Sequence, residues 1–238
     1  MTFTMKLIAS AIGISLLPLS FAVSAQSTPQ PAAKIAEAKD SAPEPPSGWM
    51  IIDEVVWLRF VDEPTQHLIS ARDSFVKGDF EHASDEVCLA AGYLHIAVRK
   101  ADKKSKSALT KSAQELDTLS SELHSNKATT LLSIDQVFAR AVYALAADHQ
   151  AKVRIAMQAR NYKTAGHYLH SAVTEVEQAA KWSGHELEYS AAVTAKDTRV
   201  LAGKMVEGTG YVVDEVGKGV EWAGTEIEKL GRVIEPGK

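Results

Sequence analysis

Eight histidines and one cysteine are the residues of this chain whose types invite a search for chemistry. His167 and His170 stand three apart, which on a helix sets both rings on one side, as half of a zinc site would need. A closed site takes two further ligands, and no His-Glu-x-x-His or Glu-x-x-His pattern supplies them. The expectation is therefore no metal. As a group the histidines could respond to acid at about pH 6, with scattered surface histidines as the plainer account. Cys88 lies among Ala and Val in a predicted helix, where a buried, inert thiol is expected. A single cysteine also excludes an intramolecular disulfide, so stability must come from a packed core. Other chemistries fail on spacing. There is no Gly-x-Ser-x-Gly elbow. Val212 and Gly219 stand where a phosphate loop around Gly217-Lys218 needs Gly and Ser or Thr, and Gly208-Thr209-Gly210 lacks the third glycine of a dinucleotide fingerprint. No catalytic residue and no cofactor are expected, and the chain does not read as an enzyme.

The elements that would position any site read as helices throughout. No proline occurs between Pro64 and Pro236, and no glycine between Gly92 and Gly166. Apolar residues recur at helical spacing: Leu68, Ala71, Phe75; Ala83, Val87, Leu94; Leu109, Leu116, Leu123; Ile134, Phe138, Leu145; Ala165, Leu169, Val176. They predict helices near 65–77, 80–101, 104–125, 131–159 and from 161 onward. The stretch WMIIDEVVWLRFV before Pro64 fits a short buried helix or a strand. The fold class is all-α, a helical bundle over 49–187 followed by a long amphipathic helix over 188–236.

The N-terminus has a different composition. Lys6, the apolar run LIASAIGISLL and Val23-Ser24-Ala25 have the layout of a secretory signal peptide over 1–25, cut after Ala25. An uncleaved anchor is the alternative, against which stand Pro18 and a run shorter than the roughly 20 residues of a span. Residues 26–48 hold five of the eight prolines and read as a semi-extended linker. The expected location is outside the cytoplasm: periplasmic in a bacterium, otherwise secreted. The net charge of −4 gives no basic face for nucleic acid.

Two stretches repeat each other. At an offset of 82 residues Phe75 meets Met157, Phe80 meets Tyr162, Ala83 meets Ala165, Val87 meets Leu169, and His67 meets His149. The shared form is a tight turn, an aromatic, and an Ala three residues on. It resembles the turn of tetratricopeptide-type hairpins, in which the aromatic wedges between helices and Ala permits close crossing. Phe80, Ala83, Tyr162 and Ala165 are thus expected to pack the hairpins, which read as two related hairpins and not a tandem solenoid. Gly78-Asp79-Phe80 with Ala83, and Arg160-Asn161-Tyr162 with Ala165, also resemble the YfdX family of bacterial stress-associated proteins. That resemblance implies a periplasmic, non-enzymatic role in stress tolerance.

The last segment carries a seven-residue period. Gly203, Gly210, Gly217, Gly224 and Gly231 are each followed three places on by Val206, Val213, Val220, Ile227 and Ile234. Five interior glycines would cost a helix roughly 0.5–1 kcal/mol each against Ala. A strict heptad keeps one seam in contact along the helix, and glycine there lets another backbone approach. The ten residues are therefore expected to form an interaction seam for a second helix, from the same chain, a twin subunit or another protein. The function expected is that of an exported helical interaction protein. The alternative is a peripheral membrane protein laying 203–234 on a lipid surface, although four basic and seven acidic residues over 203–235 give that stretch the wrong sign for anionic headgroups.

Overall fold

The computed structural model describes residues 57, 58 and 60–235. Residues 1–48, expected to be a signal peptide and a linker, and most of the segment before Pro64 lie outside the described residues. Among the described residues seven helices are complete, in order: α1 (Glu63–Val76), α2 (Phe80–Lys100), α3 (Lys103–His124), α4 (Leu131–Gln158), α5 (Tyr162–Trp182), α6 (Tyr189–Glu207) and α7 (Val213–Ile234). No strand occurs among the described residues, and the protein is an all-α bundle. Successive helices pack against one another, and α7 lies against α4, α5 and α6. The core is one contiguous cluster running from Leu68 through Leu94, Leu116, Phe138, Leu145 and Leu169 to Met205 and Leu230.

Repetition extends well beyond the hairpin turns. Helices α2 and α5 begin and end 82 residues apart, α1 and α4 end 82 apart, and α4 and α7 begin 82 apart. The turn chemistry repeats in step. Gly78 and Arg160 both take the left-handed conformation (φ 82° and 56°). The residues after them, Asp79 and Asn161, cap the next helix by accepting from the backbone N–H of His82 and Thr164. The crossings repeat as well. Ser84 donates to the Ser120 carbonyl where α2 meets α3. Gly166, at the place of Ser84, meets the Ala202 carbonyl where α5 meets α6. The chain is therefore two stacked three-helix units, and α7 repeats the first half of α4 beyond them. Its buried Val216, Val220, Ala223 and Ile227 stand where α4 buries Ile134, Phe138, Ala141 and Leu145. Where α4 buries Ala139 and Ala146, α7 exposes Glu221 and Glu228, a polar outer side of the kind that ends a repeat stack.

Two expectations about architecture are corrected. The single helix expected over 188–236 is two helices, and both belong to the bundle. Gly208 ends α6 in the left-handed conformation (φ 79°), with the N–H groups of Gly208 and Thr209 returning to the carbonyls of Met205 and Lys204. Asn126 ends α3 in the same way, 82 residues earlier, with φ 51°. The heptad runs through this break because glycine serves a turn there and not a seam. The repetition is also larger than two related hairpins, since it includes the third helix of each unit and the linker after it.

Candidate interaction surfaces and histidine sites

The glycine positions separate into four environments. A Cβ at Gly203 or Gly217 would meet open space. Gly210 lies in the α6–α7 turn with φ 71°. At Gly224 a Cβ would come within 2.8 Å of the Gln150 amide, and at Gly231 within 2.6 Å of the Tyr143 hydroxyl. Those two glycines admit polar side chains of α4, not a backbone. Val220 and Ile227 are buried, Val206 and Ile234 are partly buried, and Val213 is exposed. The buried stripe of α7 centres instead on Val216, Ala223 and Leu230, one place before each glycine. The continuous seam is thus corrected to a glycine edge, half of it filled by α4 and half open. Trp222, next to the buried Ala223, is half-buried against the core.

True close approach of backbones occurs at a glycine outside the heptads. A Cβ at Gly166 would lie 2.8 Å from the Ala202 carbonyl oxygen and 2.8 Å from Met205 Cβ. On the other side of α6, a groove of about 410 Å³ runs between α6 and α7, its lining including Asp197, Thr198, Val200, Lys204, Glu215 and Lys218.

Of the hairpin residues, Ala83 and Ala165 are fully buried, as close crossing requires. The aromatics do not wedge into the core. Phe80 is 39% exposed and rests on Phe75, with ring centres 5.3 Å apart. Tyr162 is half-buried and rests on Tyr211 from the α6–α7 turn. As the first residues of α2 and α5, both sit beside the turn, where their rings cover its apolar edge. Cys88 is exposed on α2, contrary to the expected buried thiol. It follows Val87 by one residue, and Val87 takes the inward place.

The histidines make a pattern that spacing alone did not show. On α1, His67 bonds Glu86 at 2.7 Å and stacks on Tyr93, both on α2. On α4, His149 bonds Glu175 at 2.9 Å and stacks on Tyr168, both on α5. Position 86 corresponds to 168 and position 93 to 175, so the two units hold the same three residue types with Glu and Tyr exchanged. The first site reaches solvent, while His149 and Glu175 are each 1% exposed. Burial pushes the His149 imidazole down to about 4, with Lys152 adding to the effect. Burial, then the charges of Asp62 and Asp148, hold the Glu175 carboxyl well above the usual range. Lys152 Nζ lies 2.7 Å from Asp148 Oδ2 in the same layer. His149 Nε2 and Glu175 Oε1 have no hydrogen-bond partner.

His167 and His170 do share a face. They line a cleft of about 270 Å³ with Asp62, Gly203, Val206 and Glu207. His170 Nδ1 stands 3.9 Å from Asp62 Oδ2, and burial lowers the His167 pKa, helped by Lys163. Among the described residues no three His, Cys, Asp or Glu side chains converge as a metal centre would need. No helix among the described residues is long and apolar enough to cross a membrane. No family model, curated protein or solved structure matches this chain.

Proposed function

We propose that this chain is an exported, non-enzymatic helical interaction protein that offers its helix surfaces to a second copy of itself or to another helical protein. The observation that carries the reading is the architecture of stacked repeat units, which gives an extended helical surface with a groove between α6 and α7. Export rests on the signal-peptide layout of residues 1–25. The resemblance of the two hairpin turns to YfdX proteins points the role toward stress tolerance. A lipid-surface role for 203–234 would require α7 to withdraw Val216, Val220, Ala223, Ile227 and Leu230 from the core, and nothing in its packing favours that.

Light scattering of the purified chain tests the reading. A mass above the 25.7 kDa of the chain is expected. It should fall when Val200→Trp and Gly217→Trp fill the open side of α6 and α7, with the melting temperature retained. A monomer at every concentration, with no helical protein co-purifying, would overturn it.

A further inference from the structure

Helix α6 is apolar on two opposite sides. Its inner face buries Ala191, Ala195, Ala202 and Met205. Directly opposite, Tyr189, Val193 and Val200 are 86%, 42% and 55% exposed. A helix of this kind is ordinarily covered on both sides. The molecule contains its own control. Helix α3 is the same helix in the first unit, and at the three corresponding places it carries Ser107, Lys111 and Thr118, all exposed. The apolar outer stripe therefore belongs to the second unit alone and is not a requirement of the fold.

The charges within the stripe say what covers it. In order along the helix it reads Tyr189, Val193, Lys196, Asp197, Val200, Lys204 and, at its end, Glu207, whose mirror position 186 precedes the helix, and all seven are exposed. This order is self-complementary when the helix is laid against a reversed copy of itself. With the midpoint between Lys196 and Asp197, Val193 meets Val200 of the second copy. Lys196 meets Asp197 and Tyr189 meets Lys204, and each contact occurs twice. We infer that α6 pairs antiparallel with α6 of a second copy of this chain, about a two-fold axis passing between Lys196 and Asp197. Such an isologous contact closes on itself and gives a dimer, not a filament. Helix α6 has 19 residues and is about 28 Å long, enough for apolar and charged contacts on both sides of the axis. Lys196 and Asp197 have no ion-pair partner among the described residues, so both are available. A lipid surface fits less well, because Asp197 would then lie at the centre of the membrane-facing stripe. This inference rests on the reading of the protein as an interaction module and names its partner.

Sedimentation equilibrium of the purified chain and four variants tests it, with thermal unfolding of each as a control of the fold. Wild type is expected to be a dimer. Val193→Lys with Val200→Lys is expected to be a monomer with unchanged melting temperature, since both side chains are exposed. Lys196→Asp alone sets like charges opposite one another twice, and so does Asp197→Lys alone. Each should weaken the dimer at least about tenfold. Lys196→Asp with Asp197→Lys restores opposite charges and should recover the affinity. A dimer indifferent to the valine variant, or a charge exchange that fails to recover affinity, overturns this pairing while leaving self-association in place. A wild-type monomer overturns the pairing outright, and flotation of that monomer with anionic vesicles would assign the stripe to lipid.

Discussion

His149 Nδ1 sits 2.9 Å from Glu175 Oε2, at a place where each side chain keeps 1% of its surface. Neither group can carry an isolated charge there, so the pair holds one proton between them and stays neutral. The sign of the pH dependence follows. The histidine's folded pKa of about 4 is below its ordinary 6.5, so its contribution is present above 6.5 and lost as pH falls toward 4. The glutamate's folded pKa is raised from 4.5, so its contribution is present below 4.5 and lost as pH rises. Between those two ordinary values the slopes cancel. The contribution of the pair should be flat and greatest from 4.5 to 6.5. Above that window it should fall by roughly 1 kcal/mol per pH unit, the slope of one proton. Urea unfolding against pH, for wild type minus Glu175→Gln, isolates the alkaline limb from the other histidines. The variant should lose that limb and keep the acid decline. A difference that does not vary above 6.5 would remove the shared proton from the account.

The solvated twin of this site should behave differently. His67 and Glu86 are 20% and 14% exposed, so water can replace either partner. His67→Ala is expected to cost about 1 kcal/mol or less. His149→Ala strands the buried Glu175 carboxyl and should cost roughly 2–3 kcal/mol. Urea midpoints of the two variants check this. Equal costs would mean that the exchange of Glu and Tyr between the units has no energetic consequence.

Arg72 and Asp135 form a forked ion pair between α1 and α4, at 2.6 and 3.0 Å, and the pair keeps the guanidinium pKa raised. In the second unit Arg154 stands where Arg72 does, and Gly217 stands where Asp135 does. Arg154 donates instead to the Gln150 amide oxygen, so Gly217→Asp should offer it a carboxylate as a second partner and remove an interior glycine. The expected gain is about 1 kcal/mol or more, mostly from helix propensity, since Arg154 is exposed. A rise in melting temperature for Gly217→Asp beyond that of Gly217→Ala is the signature of the pair. Equal rises would mean that the carboxylate does not reach Arg154.

Helix type, and the number and boundaries of the helices as far as Trp182, were legible because burial leaves a period that composition does not obscure. Leu68, Val87, Leu116, Phe138 and Leu169 are all fully buried where the spacing placed them. The turn motif was legible because its residues answer backbone needs: a left-handed residue, then a side-chain cap. What escaped was any relation that needs a third dimension. Glu86 and Tyr93 correspond to Tyr168 and Glu175, but the exchange looks like mismatch until both pairs are seen to surround a histidine. The glycine heptad misled for a related reason. Its register continues across Gly208 and Gly210, yet Asn126 at the same repeat position already marked a helix end. The outer stripe of α6 was hidden because apolar residues on two faces blur the helical period.

The glycines allow the last distinction to be tested. Gly203 and Gly217 are in helix interiors with open space beyond the missing Cβ. Alanine at either should stabilise the chain by about 0.5–1 kcal/mol through helix propensity alone. Gly166 is also helical, but its Cβ would press on the Ala202 carbonyl and Met205. Gly166→Ala should cost about 1–3 kcal/mol, because neither the α6 backbone nor a buried Cβ can give way cheaply. Gly208, with φ 79°, should lose about 1 kcal/mol on the same change, since alanine resists the left-handed conformation. Urea midpoints of the four variants give the answer directly. Two gains and two losses would show that the heptad glycines on the open side of α6 and α7 are not needed for folding, which leaves recognition as the reason for their spacing. Losses at Gly203 and Gly217 would mean that these glycines meet a partner surface in the folded protein, as a continuous seam requires.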